Sequence, residues 1–396
     1  MSQNSDTPPF IPFSRPELGP EEETAVLAVL RSGWLTTGAQ AQAFEQEFAS
    51  FARKRWALAV NSATAGLHLA LEALGVGPGD VCAVPVYTFT ATAEVVRYQG
   101  ADPAFLDCGP ASPNFDPERL EDLLRRQKVK AVLPVHLTGE PFDEDALSFL
   151  QERYGFAVVQ DSAHMIPSRK ADGSLWGSGG NAGVFSFYAN KNMTTGEGGM
   201  IVTDDEALAQ RMRRMRLHGI DRDAFDRFTS QKRQGWAYQV VAPGFKYNMT
   251  DLAAAIGREQ LKKAEAFWQR RRDLVKTYLQ GLGSIPALRL PPWRDDHNWH
   301  VFSLNLVPEL LSADRGGFVE ALTQEGIGVS VHYTPLHRMI YWRDRYNLSP
   351  ADFPNAEARG ATTFSLPLYP GLTDGQINRV IQGVQRICQK LTRKAG

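Results

Sequence analysis

Apolar positions along the chain follow two rhythms. In "EEETAVLAVLRSG" and "QAFEQEFASFARK" they recur every three or four residues, which predicts amphipathic helices. "RWALAVNSATAGLHLALEAL" joins a short apolar run to a polar turn and a helical pattern, so strand, turn and helix follow one another. "DVCAVPVYTFTATAEVVRYQG", "PAFLDCG", "VKAVLPVHLTG" and "YGFAVVQDSAH" each hold a short β-branched or apolar run, and helical patterns alternate with several of them. Such alternation predicts an α/β fold, a mostly parallel central sheet between helices, with ligands just beyond the carboxyl ends of its strands. After the long helical pattern "DLAAAIGREQLKKAEAFWQRRRDLVKTYLQGL" the chain changes character at "GSIPALRLPPWRDDHNWH". Short alternating runs such as "VFSLNLV" follow, with helices in "GGFVEALTQEG" and "TDGQINRVIQGVQRICQKL". The expected organisation is a large domain over 1–264 and a smaller C-terminal α+β domain over 265–396.

Composition narrows the class. At 396 residues the chain is longer than a single growing core supports, consistent with two domains. Its 43 basic and 44 acidic residues give a net charge of -1, so the overall balance points to a small molecule, not to nucleic acid or an anionic membrane. The start, "MSQNSDTPPFIPFSRPE", has no basic stretch or apolar core of a signal, and no segment is apolar enough to span a bilayer; a soluble, cytoplasmic protein is expected. Cys82, Cys108 and Cys388 are widely spaced without a C-x-x-C pair, so they read as reduced, structural residues, and no metal site is expected. The basic run "RMRRMRLHG" reads as a solvated helix face before it reads as an anion site.

The candidate chemistry centres on "FSFYANKNMTTGEGGMIV", where a single lysine, Lys191, sits at the lip of a glycine-rich turn. Asp161 lies upstream at the carboxyl end of the run in "VVQDSAH". Alone, such an aspartate is an ordinary helix cap or turn residue. Together, a lysine that can form an imine and a carboxylate that can keep a pyridine nitrogen protonated are the two groups that pyridoxal phosphate chemistry needs. "NSATAGLHLAL" offers backbone N–H groups at a helix start, as a phosphate cup or simply as a helix start. In "YTFTATAEV", Phe89 or Tyr87 could lie flat on a planar ring or serve as plain core packing.

Eight segments, "SGWLTTG", "NSATAGLHLAL", "YTFTATAEVV", "QDSAH", "FSFYANKNMTTGEGG", "APGFKYNMTDLAAAIG", "VHYTPLH" and "FSLPLYPGLTD", occur in the order found in the DegT/DnrJ/EryC1/StrS sugar aminotransferases, which this chain resembles along essentially its whole length. The resemblance implies a fold-type I pyridoxal phosphate enzyme with Lys191 as its Schiff-base lysine and Asp161 as the pyridinium partner. It implies that His164 lies near the cofactor's phenolic oxygen, that Phe89 stacks on the ring, and that Ala63, Thr64 and Ser186 bind the phosphate. Asn248 matches an asparagine that reaches the phosphate of the neighbouring subunit, which implies a homodimer with shared active sites. Two positions depart from the family pattern: Ala63 stands where glycine is common, and Gln160 where an acidic residue is usual.

"GFKYNMTD" with "MRLHGIDRDA" looks most like members that aminate C4 of a nucleotide-linked 4-keto sugar. The implied reaction moves an amino group from L-glutamate to a UDP-, GDP- or dTDP-linked keto sugar. Thr36, Thr37, His332, Tyr333 and His337 are the candidates for sugar or nucleotide contacts, weighed against ordinary packing roles, and Glu197 for bracing the turn after Lys191. Two further readings remain: a pyridoxal-phosphate-dependent sugar dehydratase or deoxygenase, some of which carry histidine in place of the lysine, and a regulatory relative that binds the cofactor without turnover. The retained Lys191 speaks against both.

Overall fold

The computed structural model describes residues 9–221 and 237–393. Arg222 to Ala224, the end of "MRLHGIDRDA", therefore lie outside the described residues. Helices α1 (Pro20–Ser32) and α2 (Ala39–Ala52) precede β1 (Trp56–Val60), α3 (Ala63–Ala73), β2 (Val81–Pro85), α4 (Ala91–Tyr98) and β3 (Asp102–Leu106). There follow α5 (Pro117–Arg126), β4 (Ala131–Val132), α6 (Glu144–Tyr154), β5 (Ala157–Asp161), β6 (Ala182–Ser186), β7 (Gly199–Thr203) and α7 (Glu206–Met215). The seven strands form one sheet in the order β1-β7-β6-β5-β4-β2-β3. Only β7 runs antiparallel to its neighbours, and the remaining pairs are parallel. Six strands thus point the same way, and β7 starts at the edge where they end.

Both faces of the sheet are covered, which is why its strands read as apolar runs instead of alternating ones. On β5, Val159 packs into a core with Leu67 and Val84, while Val158 faces a second core with Leu147 and Phe156. The central strand is thereby held from both sides, and its last residue, Asp161, is fixed in position.

The long helix α8 (Asp251–Leu282) serves two cores. Ala254, Leu261 and Ala264 pack with Phe44, Phe48 and Phe185 on the large sheet. Leu274, Val275, Tyr278 and Leu282 instead pack against a small antiparallel sheet, β8 (Leu288–Arg289), β9 (Phe302–Leu306) and β10 (Thr363–Leu366), ordered β10-β9-β8. Between β9 and β10 the chain forms α9 (Arg315–Gln324), α10 (Ile340–Tyr346) and α11 (Pro354–Thr362), and α12 (Asp374–Leu391) closes it. Leu336, Trp342, Phe353 and Ala356 return to the large-sheet core, so this late segment is bound to the earlier body.

The basic run is less solvated than its sequence predicts. Arg216 is buried in an ion pair with Glu45, Arg211 pairs with Glu72, and the Arg213 guanidinium lies 5.5 Å from the Trp56 ring. Acidic and aromatic partners far away in sequence take up most of the charge. Among the described residues, no helix is long and apolar enough to cross a membrane.

Candidate active site

The site lies where the parallel strands end. β1 stops at Val60, and Ser62 caps α3 by accepting the Ala65 N–H at 3.1 Å. The first intrahelical bond, Gly66 N–H to Ser62 O, comes after Ala63 and Thr64, so their N–H groups belong to the donor-rich positive end of the helix. Two glycines let this helix end sit close to the sheet. A Cβ on Gly66 would lie 2.7 Å from Val184 Cγ1, and one on Gly199 would lie 2.7 Å from the Ala63 nitrogen.

Asp161 ends β5 almost completely buried. The Thr92 hydroxyl donates to its Oδ2 at 2.8 Å and the Ala163 N–H to its Oδ1 at 3.2 Å. Burial raises the Asp161 pKa above its ordinary value, against the opposing pull of these donors and of the Lys191 charge. Lys191 belongs to the connection between β6 and β7, whose ends are paired at Ser186 and Gly199. That loop is tied internally: Phe187 N–H donates to Gly198 O at 2.9 Å, Thr195 N–H to Phe187 O at 3.0 Å, and the Thr195 hydroxyl to Glu197 O at 2.6 Å. Gly196, at φ +80°, takes a backbone conformation that other residues rarely adopt. Burial lowers the Lys191 pKa to about 8, with the Asp161 charge opposing the fall.

These elements enclose a cavity of about 500 Å³. Ala63, Thr64, Ser186, Asp161 and Lys191 line it together with Phe89, His164, His332 and Tyr333. Tyr87 is buried, with its hydroxyl donating to His332 O, whereas Phe89 is 55 % exposed with its ring 5.7 Å from that of Tyr333. His164 Nδ1 accepts the Thr138 N–H at 3.2 Å. The neutral ring therefore carries its proton on Nε2, 3.4 Å from Tyr333 Oη. Burial keeps His164 neutral by holding its pKa well below the usual imidazole range, and pushes that of His332 down to about 3.

Four sequence candidates lie elsewhere. Thr36 is exposed. The Thr37 hydroxyl donates to Met249 O at 2.6 Å and accepts from Asn248 Nδ2 at 2.6 Å, so these two residues form a cluster beside α8, outside the lining of the cavity. His337 is fully buried, its Nε2 2.8 Å from Glu357 Oε2 and its ring stacked on Phe353, where it serves packing. Glu197 lines the cavity, and its carbonyl takes the Thr195 hydroxyl.

Tyr188 and Asn190 line the cavity, and Thr92 and Thr138 support Asp161 and His164 from behind it; sequence reasoning did not single out any of the four. Thr92 follows Phe89 by three residues within a segment already marked, and only the fold reveals that its hydroxyl meets Asp161. Asn190 Oδ1 is buried without a hydrogen-bond partner among the described residues.

The residues fit pyridoxal phosphate. A buried, under-compensated carboxylate suits a protonated ring nitrogen, the α3 N-terminus with the Thr64 and Ser186 hydroxyls suits a phosphate, and a desolvated lysine suits an aldehyde.

An α/β sheet that brings a half-buried lysine and a buried aspartate to one cavity beside a helix N-terminus suits lysine-dependent, anion-binding enzyme chemistry. The chain belongs to the DegT/DnrJ/EryC1/StrS aminotransferase family, whose model matches residues 16–385. It is 41% identical over 381 residues to the spore coat polysaccharide biosynthesis protein SpsC of Bacillus subtilis, covering 96% of this chain and 97% of that one. PseC of Helicobacter pylori, an aminotransferase involved in the biosynthesis of pseudoaminic acid, has a similar structure: TM-score 0.88, 27% identity, 97% of this chain and 100% of that one. A Streptococcus pneumoniae protein solved in PMP form gives a TM-score of 0.87 at 29% identity, over 96% of this chain and 99% of that one; its PLP form has also been solved.

Proposed function

We propose that this protein transfers an amino group from L-glutamate to the keto carbon of a nucleotide-linked sugar, at C4, with pyridoxal phosphate as cofactor. The observation that carries the reading is the convergence of Lys191 and Asp161 in one cavity beside the α3 N-terminus. Family membership and the likeness to a sugar-pathway aminotransferase and a polysaccharide biosynthesis protein support the substrate class.

Bound pyridoxal phosphate supplies the electron sink for cleavage of a C–H bond. Asp161, as a carboxylate, would hold the proton on the ring nitrogen, and the Thr92 hydroxyl and Ala163 N–H that donate to it favour that charged form. The Ala63 and Thr64 N–H groups, with the Ser186 hydroxyl, would hold the phosphate, and Phe89 would flank the ring. His164 offers its Nε2–H towards the cavity as a neutral donor. With pyridoxal phosphate bound, Lys191 Nζ, neutral once deprotonated, would take the proton from the α-carbon of L-glutamate; the amino group would stay on the cofactor and water would supply the keto oxygen of the departing 2-oxoglutarate. In the second half the keto sugar would receive that amino group, its carbonyl oxygen leaving as water, and Lys191 would return a proton to the carbon that bore the carbonyl.

The working unit is a homodimer with shared sites. Asn248 and Thr37 form a polar pair away from their own cavity, while Phe89 and Tyr188 expose large apolar surface at its lining. The partner's Asn248 would then complete the phosphate site.

The direct test is the visible spectrum. Purified protein should be yellow with bound cofactor, and L-glutamate should bleach that colour while 2-oxoglutarate accumulates in equal amount. A colourless protein that takes up no pyridoxal phosphate would overturn the reading.

A further inference from the structure

A second cavity, of about 580 Å³, lies between the loops after β3 and β4 and the small sheet. His332 belongs to the linings of both cavities, whereas Lys191 and Asp161 belong only to the first. The two spaces are therefore adjacent but distinct. Nothing in the aminotransferase reaction described above uses the second one.

Four charged side chains line it; Arg289 and Glu309 are exposed to solvent, whereas Arg359 and Glu140 are half-buried and incompletely matched. Arg359 makes no ion pair among the described residues; its side chain meets the Cys108 thiol, and its charge reaches Glu140 without a close contact. Glu140 Oε1 accepts the Ser112 hydroxyl at 2.7 Å and has Arg294 Nη1 at 4.0 Å, whereas Oε2 has no hydrogen bond among the described residues. Burial raises the pKa of Glu140 against the opposing pull of the Ser112 hydroxyl and of the Arg294 and Arg359 charges. A half-buried cation and a carboxylate facing one space, without pairing to each other, suit a ligand carrying both charges. Joining them through a small zwitterion would satisfy both, and the volume is ample for one.

We propose that this second cavity binds a free α-amino acid, its carboxylate on the Arg359 guanidinium and its ammonium group on Glu140. A simple anion would leave Glu140 repelling it, and a simple cation would be repelled by Arg359. The zwitterion is the charge pattern that both walls favour.

The inference is independent of the amination reaction, so it can be tested without turnover. Calorimetric titration of the full chain with glycine, which is not the amino donor of the proposed reaction, should give saturable binding. Arg359→Met and Glu140→Gln should each weaken it by about tenfold or more, the scale of one lost charge-assisted contact. Lys191→Ala should leave it unchanged, and acetate or ethylamine alone should bind more weakly than glycine. Glu140→Gln keeps the side-chain shape and guards against loss of fold in the arginine variant. Absence of saturation, binding that survives both substitutions, or acetate binding as tightly as glycine would each overturn the proposal.

Discussion

At the scale of single residues, the chemistry rests on how burial sets protonation. Lys191 would be almost wholly protonated near neutral pH at an ordinary lysine pKa, but desolvation brings it to about 8. Its neutral fraction therefore grows as pH rises through about 8, not through the range of exposed lysines. Imine formation with pyridoxal phosphate, trapped by borohydride, should increase with pH and level off above that point; a yield still climbing well beyond it would refute the assignment. Asp161 opposes the fall, so Asp161→Asn should move the same profile to lower pH. A shift upward would mean that the two groups do not sense each other. Both candidates could be picked out in the sequence because each follows an apolar run, Asp161 as the last residue of β5 and Lys191 in the loop after β6. The supporting Thr92 hydroxyl and the Thr138 N–H that selects the His164 tautomer could not, because each acts across a gap in sequence that no local pattern bridges.

At the scale of elements, the phosphate cup depends on how closely α3 approaches β6 and β7. Gly199 is where the start of α3 meets the strand backbone to backbone, since an added Cβ would lie within 3 Å of Ser62 and Ala63 main-chain atoms. Gly199→Ala should force α3 away from the strand, cost about 1–3 kcal/mol of stability by overpacking, and weaken cofactor binding several-fold. Thermal unfolding and cofactor titration would measure the two effects, and a variant with unchanged binding would show that the approach of α3 is not needed. Sequence periodicity located most of these elements, since helical and strand rhythms are local. It did not reveal that β7 turns antiparallel, nor that Trp342 and Phe353 fold back onto the large-sheet core, because pairing and return contacts join distant segments.

At the scale of the whole molecule, the proposed shared site makes a sharp demand. Lys191→Ala removes the base from its own cavity, and Asn248→Asp places a repelling charge where the partner's phosphate would lie. In heterodimers formed by mixing the two inactive variants, one site in each would hold Lys191 from one subunit and Asn248 from the other. With random exchange, activity should recover to about a quarter of the wild-type value, the fraction of intact sites that two-fold symmetry allows. No recovery after demonstrated subunit exchange would confine each site to one chain.

Sequence alone determined the α/β class, the order of most elements and the family resemblance, and offered the lysine and aspartate as candidates, because hydrophobic period and short motifs are written within a few neighbouring residues. Only the tertiary structure decided that His332 and Tyr333 join that site, that His337 is instead buried against Glu357, and that Thr37 and Asn248 hold each other apart from the cavity. The physical reason is that side-chain identity is a local property, whereas the partner that satisfies a buried charge or donor is chosen by the packing of segments far apart in the chain.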